Sequence, residues 1–238
     1  MADAARHVEG LDPFTLLEAE QLRSLDFFAG LDDAGWAQPT ACPGWRRREM
    51  VAHFAFGEEY NRATLDATRE QFLAQGVAAG AHDLDSFNDW GVRTRADRDT
   101  SAVLDEFRTN SAATRRDLRA RGDRDLDSMA GPYPPRLQGF HLAFEAAIHN
   151  DDMDVPVDVA DRAARDAWRA ATARFMLEEE NRPVTLEAVD GGTRVTATVS
   201  GEEGMLPDED LVRACSGRLR QRADLYPRAV VEAIRGSG

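Results

Sequence analysis

The 238-residue chain sets 43 acidic residues against 29 basic ones, a net charge of −14, which argues against nucleic acid and anionic membranes as partners because no basic face is present to neutralise phosphates. No apolar run approaches the roughly 20 residues that span a bilayer, and the two cysteines, Cys42 and Cys215, form neither a C-x-x-C pair nor a disulfide framework. A hydrophobic content of 42% suits one large globular domain, or one of about 150 residues with a small companion; the opening MADAARHVEGLDP has no basic start and no apolar core of a signal peptide, so a cytoplasmic location is expected.

In chain order, LDPFTLLEAEQLRSLDFFAGL offers Asp12 as an N-cap and Pro13 at the first helical position. Phe14, Leu17, Leu22, Leu25 and Phe28 then recur at near-helical spacing. The stretch 32–45 is turn-rich. A second helix is expected from Trp45 past Tyr60 and as far as Phe72, and VAAGAHDLDSFNDWG reads as a loop or broken helix. Val103, Leu104, Phe107, Ala112 and Leu118 mark a third helix. AGPYPPR is a proline-rich entry to a fourth, from Leu137 to about Asp152. Four long helices with apolar faces imply a bundle.

Beyond Pro156 the period changes. VADRAARDAWRAATARFMLEEE is a fifth helix. Val184, Leu186 and Ala188 alternate against Val195, Ala197 and Val199 on either side of DGG, a hairpin signal. Two short helices follow, in PDEDLVRACSGRLRQR and YPRAVVEAIR. The expected organisation is a mainly α chain, with a helical bundle over 1–158 and a smaller α/β domain over 159–238.

The chemistry concentrates in GFHLAFEAAIHNDDMDVP, where His141, Glu145 and His149 follow one another at intervals of four. Residues four apart in a helix stack on one face and can chelate one ion, whereas residues eight apart are about 12 Å apart along the axis. His141 and His149 therefore cannot share an ion with Glu145 in an unbroken helix. Either His141 with Glu145 or Glu145 with His149 remains open, as does a solvated polar stripe. On the second helix, His53 sits among Val51, Ala52, Phe54, Ala55 and Phe56; a lone histidine there is more often a hydrogen-bonded core residue than a ligand. A helix pair plus a histidine from a facing helix would give three ligands and an open position, the layout of a catalytic zinc site. No Walker loop, G-x-G-x-x-G, H-E-x-x-H or G-x-S-x-G is present.

WAQPTACPGWRRREMVAHFAF, with its W-x-x-P-T-x-C-P-G-W leading into a helix that carries a histidine, resembles the signature of the mycothiol-dependent maleylpyruvate isomerase family, within the wider group of DinB-like four-helix metalloenzymes. FEAAIHNDD is similar to the family's E-x-x-x-H followed three residues later by Asp. The similarity covers most of residues 10–155. It implies a DinB-like four-helix bundle with metal ligands His53, Glu145 and His149, and with Asp152 beside them. His141 falls outside the pattern. SGR near Arg218 is a weaker match; Arg218 and Asp152 are the expected catalytic side chains, and Arg93 is expected at the cofactor pocket. Cys42 reads as a structural turn residue and Cys215 as a small buried one.

The resemblance further implies zinc or another divalent metal, mycothiol as a low-molecular-weight thiol cofactor, and a small electrophilic substrate such as maleylpyruvate, in a monomer or small homo-oligomer. All 29 basic residues are arginine, a bias of GC-rich coding that agrees with the high-GC actinobacteria in which mycothiol is made. A zinc-dependent, mycothiol-using isomerase or S-transferase is thus the expected function. The alternative is a thiol-independent tailoring enzyme that uses the metal as a Lewis acid. A non-catalytic binding protein would have no use for three ligands.

Overall fold

Residues 3–129, 131–220 and 222–235 are described in a computed structural model. They fall into two compact units, one of Asp12–Pro156 and the other of the residues up to Leu11 together with those from Val157 onward. The segment before Asp12, placed in the bundle by the sequence reading, groups with the second unit. Its short 3-10 helix Ala4–Val8 buries Ala4 and Val8, and Arg6 and His7 both reach Glu178, at 2.7 and 3.0 Å.

The first unit runs α1 (Pro13–Ala29), α2 (Asp33–Trp36), α3 (Arg47–Leu65), α4 (Arg69–Ala78), α5 (Leu84–Arg93), α6 (Thr100–Arg121), β1 (Leu126–Ser128), β2 (Gly131–Tyr133) and α7 (Pro135–Asp152). The bundle is α1, α3, α6 and α7, with α1 lying chiefly along α7 and α3 along α6. Asp12 caps α1 as expected: its carboxylate accepts from the Phe14 amide at 3.1 Å and the Thr15 hydroxyl at 2.7 Å. Leu17, Leu25 and Phe28 face the core, but Leu22 is 47% exposed. The buried positions between them are the polar Glu20, Gln21 and Ser24, which find partners on neighbouring helices.

The second expected helix is two. Ala67 takes a left-handed φ of 56° between α3 and α4, so the chain turns and Phe72 comes back onto Phe56, ring centroids 5.5 Å apart. The stretch read as a loop or broken helix is a helix break followed by α5, started by Asp83, whose carboxylate accepts from the Ser86 amide at 2.8 Å. Phe87 and Trp90 of α5 complete the aromatic cluster around Phe56 and Phe72. Gly91 makes this possible, because a Cβ there would overlap the Phe56 ring. On α6 the core face is Val103, Leu104, Phe107 and Leu118 together with Ser111 and Thr114, while Ala112 is exposed. The proline-rich entry to α7 is a miniature hairpin, with Leu126 opposite Tyr133 and Ser128 opposite Gly131.

The second unit holds α8 (Val159–Glu179), β3 (Val184–Val189), β4 (Gly192–Ala197), β5 (Glu203–Pro207), α9 (Asp208–Cys215) and α10 (Arg228–Arg235). The expected hairpin is present, pairing Val184 with Ala197 and Leu186 with Val195; Val199 lies beyond β4, 90% exposed. A third strand, β5, pairs antiparallel with β4. It escaped the sequence reading because its core face alternates Gly204 with Leu206: Gly204 is small where Val230 of α10 comes within 3.3 Å of its Cβ position. No helix of the described residues is long and apolar enough to cross a membrane.

Two stability changes follow from this packing. Gly91→Ala should lower stability by about 1–3 kcal/mol through overpacking against Phe56, read as a lower unfolding midpoint in urea. Asp12→Ala should remove about 1 kcal/mol of capping. Burial pushes the Asp12 carboxyl up, but the bonds from Thr15, the Phe14 amide and Arg119 outweigh it and hold the group below its ordinary value of 3.8. A depressed folded value stabilises above the ordinary value, so the Asp12→Ala deficit should be full near neutrality and shrink as pH falls below about 4.

Candidate metal centre

His53 lies in the second turn of α3, where Val51, Ala52, Phe54, Ala55 and Phe56 are all buried with it. Glu145 and His149 are one turn apart on α7, on a common face. The three side chains converge: His53 Nε2 is 3.2 Å from His149 Nε2 and 3.5 Å from Glu145 Oε1, and all three donor atoms lie within 4.8 Å of one another. Bonds of 2.0–2.1 Å at tetrahedral angles put neighbouring donors about 3.4 Å apart, so both closest pairs match the edges of a zinc coordination tetrahedron. The site is closed on its imidazole side and open on its carboxylate side: the side chains of His53 and His149 are 6% and 13% exposed, that of Glu145 53%.

The surroundings keep these groups in ligand form. Burial, with the charge of His149, pushes the His53 imidazole below its ordinary value against the opposing pull of Glu145, so it stays neutral with a lone pair to give. Partial desolvation by the surrounding protein pushes Glu145 up, yet the hydrogen bond with His53 and the nearby imidazoles outweigh it and hold the carboxyl below its ordinary range. His149 turns its other nitrogen, Nδ1, to Asp152 Oδ2 at 3.0 Å. A proton held on Nδ1 by that carboxylate leaves the Nε2 lone pair facing His53, the arrangement that orients metal-binding histidines. His53 has no such partner among the described residues, where its buried Nδ1 makes no hydrogen bond; it packs instead against Trp45 and Phe54, 4.9 and 6.3 Å away between ring centroids.

The other expected residues are distributed differently. Asp152, 6% exposed, is in contact with His149. His141, the alternative partner of Glu145, is outside the converging group, and its Nε2 lies 3.0 Å from the Tyr133 hydroxyl. Arg93 ends α5 with an exposed side chain, and no hydrogen bond or ion pair joins it to the three ligands among the described residues. Arg218 belongs to the second unit, exposed just beyond α9, and donates to the Ser216 carbonyl at 2.6 Å. Two residues gain a place that their turn position did not signal. Trp45 covers His53, and the Cys42 sulfur lies 3.2 Å from Asp152 Oδ2 and 3.9 Å from His149 Nδ1. Cys42, His149 and Asp152 have the donor types of a metal site themselves, but they meet at the Nδ1 edge of the imidazole, where 3.0 and 3.2 Å contacts are hydrogen bonds already made.

Residues 17–154 match the family model of the mycothiol maleylpyruvate isomerase N-terminal domain. Among solved structures, a crystal structure of the mycothiol-dependent maleylpyruvate isomerase is 14% identical, with a TM-score of 0.56 over 87% of this chain and 88% of that one; it shares the mainly helical fold with a small sheet region. A histidine-to-alanine mutant of the mycothiol-dependent maleylpyruvate isomerase is 13% identical over 70% of this chain and 67% of that one, with a TM-score of 0.49. No curated protein matches the sequence. The matched segment spans α1 to α7 nearly whole and includes His53, Glu145 and His149, and the chain belongs to the mycothiol maleylpyruvate isomerase N-terminal domain family, a family of enzymes.

Proposed function

We propose that the protein is a zinc-dependent isomerase that borrows mycothiol to act on a small, electron-poor alkene such as maleylpyruvate. The observation that carries this reading is the convergence of His53, Glu145 and His149 at 3.2 and 3.5 Å inside the family-matched segment. Two imidazoles and a carboxylate with room for a further ligand suit zinc. When bound, zinc would supply the positive charge that ionises a thiol near neutral pH.

The chain's own residues do the rest. His53 and His149 present ring nitrogens, Glu145 contributes one negative charge, and Asp152 anchors His149 through its other nitrogen. Phe54 stands edge-on to the His149 ring with centroids 5.9 Å apart, which keeps water from that flank. Neither cysteine serves as the nucleophile. Cys42 is engaged with Asp152 on the far edge of the imidazole, and burial pushes the Cys215 thiol up to about 12. A borrowed thiol meets the need. Its sulfur adds to one carbon of the cis double bond of a conjugated keto acid, and the electron pair moves into the carbonyl. The former double bond turns, the pair returns, and the sulfur leaves with the trans alkene formed. No net proton or electron is consumed.

Elemental analysis of protein purified without chelators should find about one zinc per chain. His53→Ala and His149→Ala should each lose most of it, and His141→Ala should keep it; loss in His141→Ala with retention in His149→Ala would place the site one turn away. Isomerisation of maleylpyruvate by the zinc-loaded protein should require added mycothiol, and mycothiol binding should release about one proton, measurable by calorimetry in buffers of different ionisation enthalpy. Absence of binding at millimolar mycothiol with zinc in place would overturn the thiol-dependent reading in favour of direct Lewis-acid chemistry.

A further inference from the structure

We propose that Cys42 is a positioning residue for the metal ligand His149, acting through Asp152; the proposal rests on the metal reading of the His53, Glu145 and His149 set. A carboxylate as buried as Asp152 needs donors for its oxygens. Oδ2 meets His149 Nδ1 at 3.0 Å and the Cys42 thiol at 3.2 Å. A thiol is a weak donor, but here it is delivered by a braced turn. The Cys42 amide donates to the Thr40 hydroxyl at 3.1 Å, that hydroxyl to the Trp45 carbonyl at 2.9 Å, and the Trp45 amide to the Cys42 carbonyl at 3.1 Å. Gly44 supplies the left-handed φ of 82° that closes the turn.

The same turn grips the backbone of α7, since the Ala41 amide donates to the Asp152 carbonyl at 2.8 Å. One turn thus contacts Asp152 twice, at its main chain through Ala41 and at its carboxylate through Cys42. The torsion of an aspartate carboxylate is broad and soft. A second donor on Oδ2 narrows it and keeps that oxygen on the Nδ1–H of His149, which in turn aims Nε2 at His53. Loss of the thiol removes one donor from Oδ2 and loosens the hold of the carboxylate on the imidazole.

The test is zinc affinity by chelator competition, with thermal unfolding of the zinc-free proteins as a check on folding. Loss of an outer partner of a metal-bound histidine weakens affinity by 10- to 100-fold. Asp152→Asn should fall in that range, and Cys42→Ala should weaken zinc about 10-fold. Cys42→Ser, which restores a donor, should recover most of the loss. In an Asp152→Asn background, Cys42→Ala should make no further difference, because the thiol acts only through the carboxylate. Wild-type affinity in Cys42→Ala, no recovery in Cys42→Ser, or the full Cys42→Ala loss persisting beside Asp152→Asn would each overturn the proposal. Where Cys42→Ala does not fold, Cys42→Val, of similar bulk and without a donor, replaces it. Zinc retained in full by His53→Ala would instead overturn the metal reading, so the two failures are distinguishable.

Discussion

Two imidazole nitrogens held 3.2 Å apart are the feature that the rest of the first unit serves. They come from α3 and α7, whose main packing partners are other helices, α6 for one and α1 for the other. Small rotations of either helix would part them, because apolar side chains alone allow repacking at little cost. Directional contacts remove that freedom. Asn150, next to His149, donates to the Glu20 carbonyl and carboxylate at 3.0 and 2.9 Å and accepts from Ser24 at 2.7 Å, which fixes α7 on α1. Gln21 donates to Glu58 at 2.6 Å and accepts from Arg115, which ties α1 to α3 and α6. These pairs occupy the core face of α1, and buried polar groups of this kind narrow the set of acceptable packings.

The polar ties carry their own demand. Glu58 is almost wholly buried, and burial pushes its carboxyl above the ordinary range against the opposing bonds from its neighbours. The cost of burying that carboxyl is offset in part by the bond from Gln21 and the nearby Arg115.

Much of this was legible in the sequence. The four bundle helices announce themselves through apolar periodicity, Asp12–Pro13 through capping chemistry, and the β3–β4 hairpin through strict alternation. Spacing alone allowed His141 with Glu145 or Glu145 with His149, and the resemblance selected the second pair. Their completion by His53 depended on the resemblance, since nothing in the composition of α3 separates a core histidine from a ligand. Other features are tertiary in origin. Helix propensity continues through Ala67, and only the aromatic cluster rewards breaking there. β5 is too short and glycine-rich to alternate visibly. The partner of Cys42 lies 110 residues away, so a turn cysteine looks inert until α7 is set beside it.

The unequal exposure of the three ligands bears on how an ion would come and go. Glu145 is the half-exposed donor, and the histidines lie behind it. An arriving cation would meet a carboxylate first, exchange part of its hydration shell there, and only afterwards engage the nitrogens. Departure would run in reverse, with the imidazoles released before the carboxylate lets go. The side chain that an ion would meet first is therefore not one of those that would enclose it.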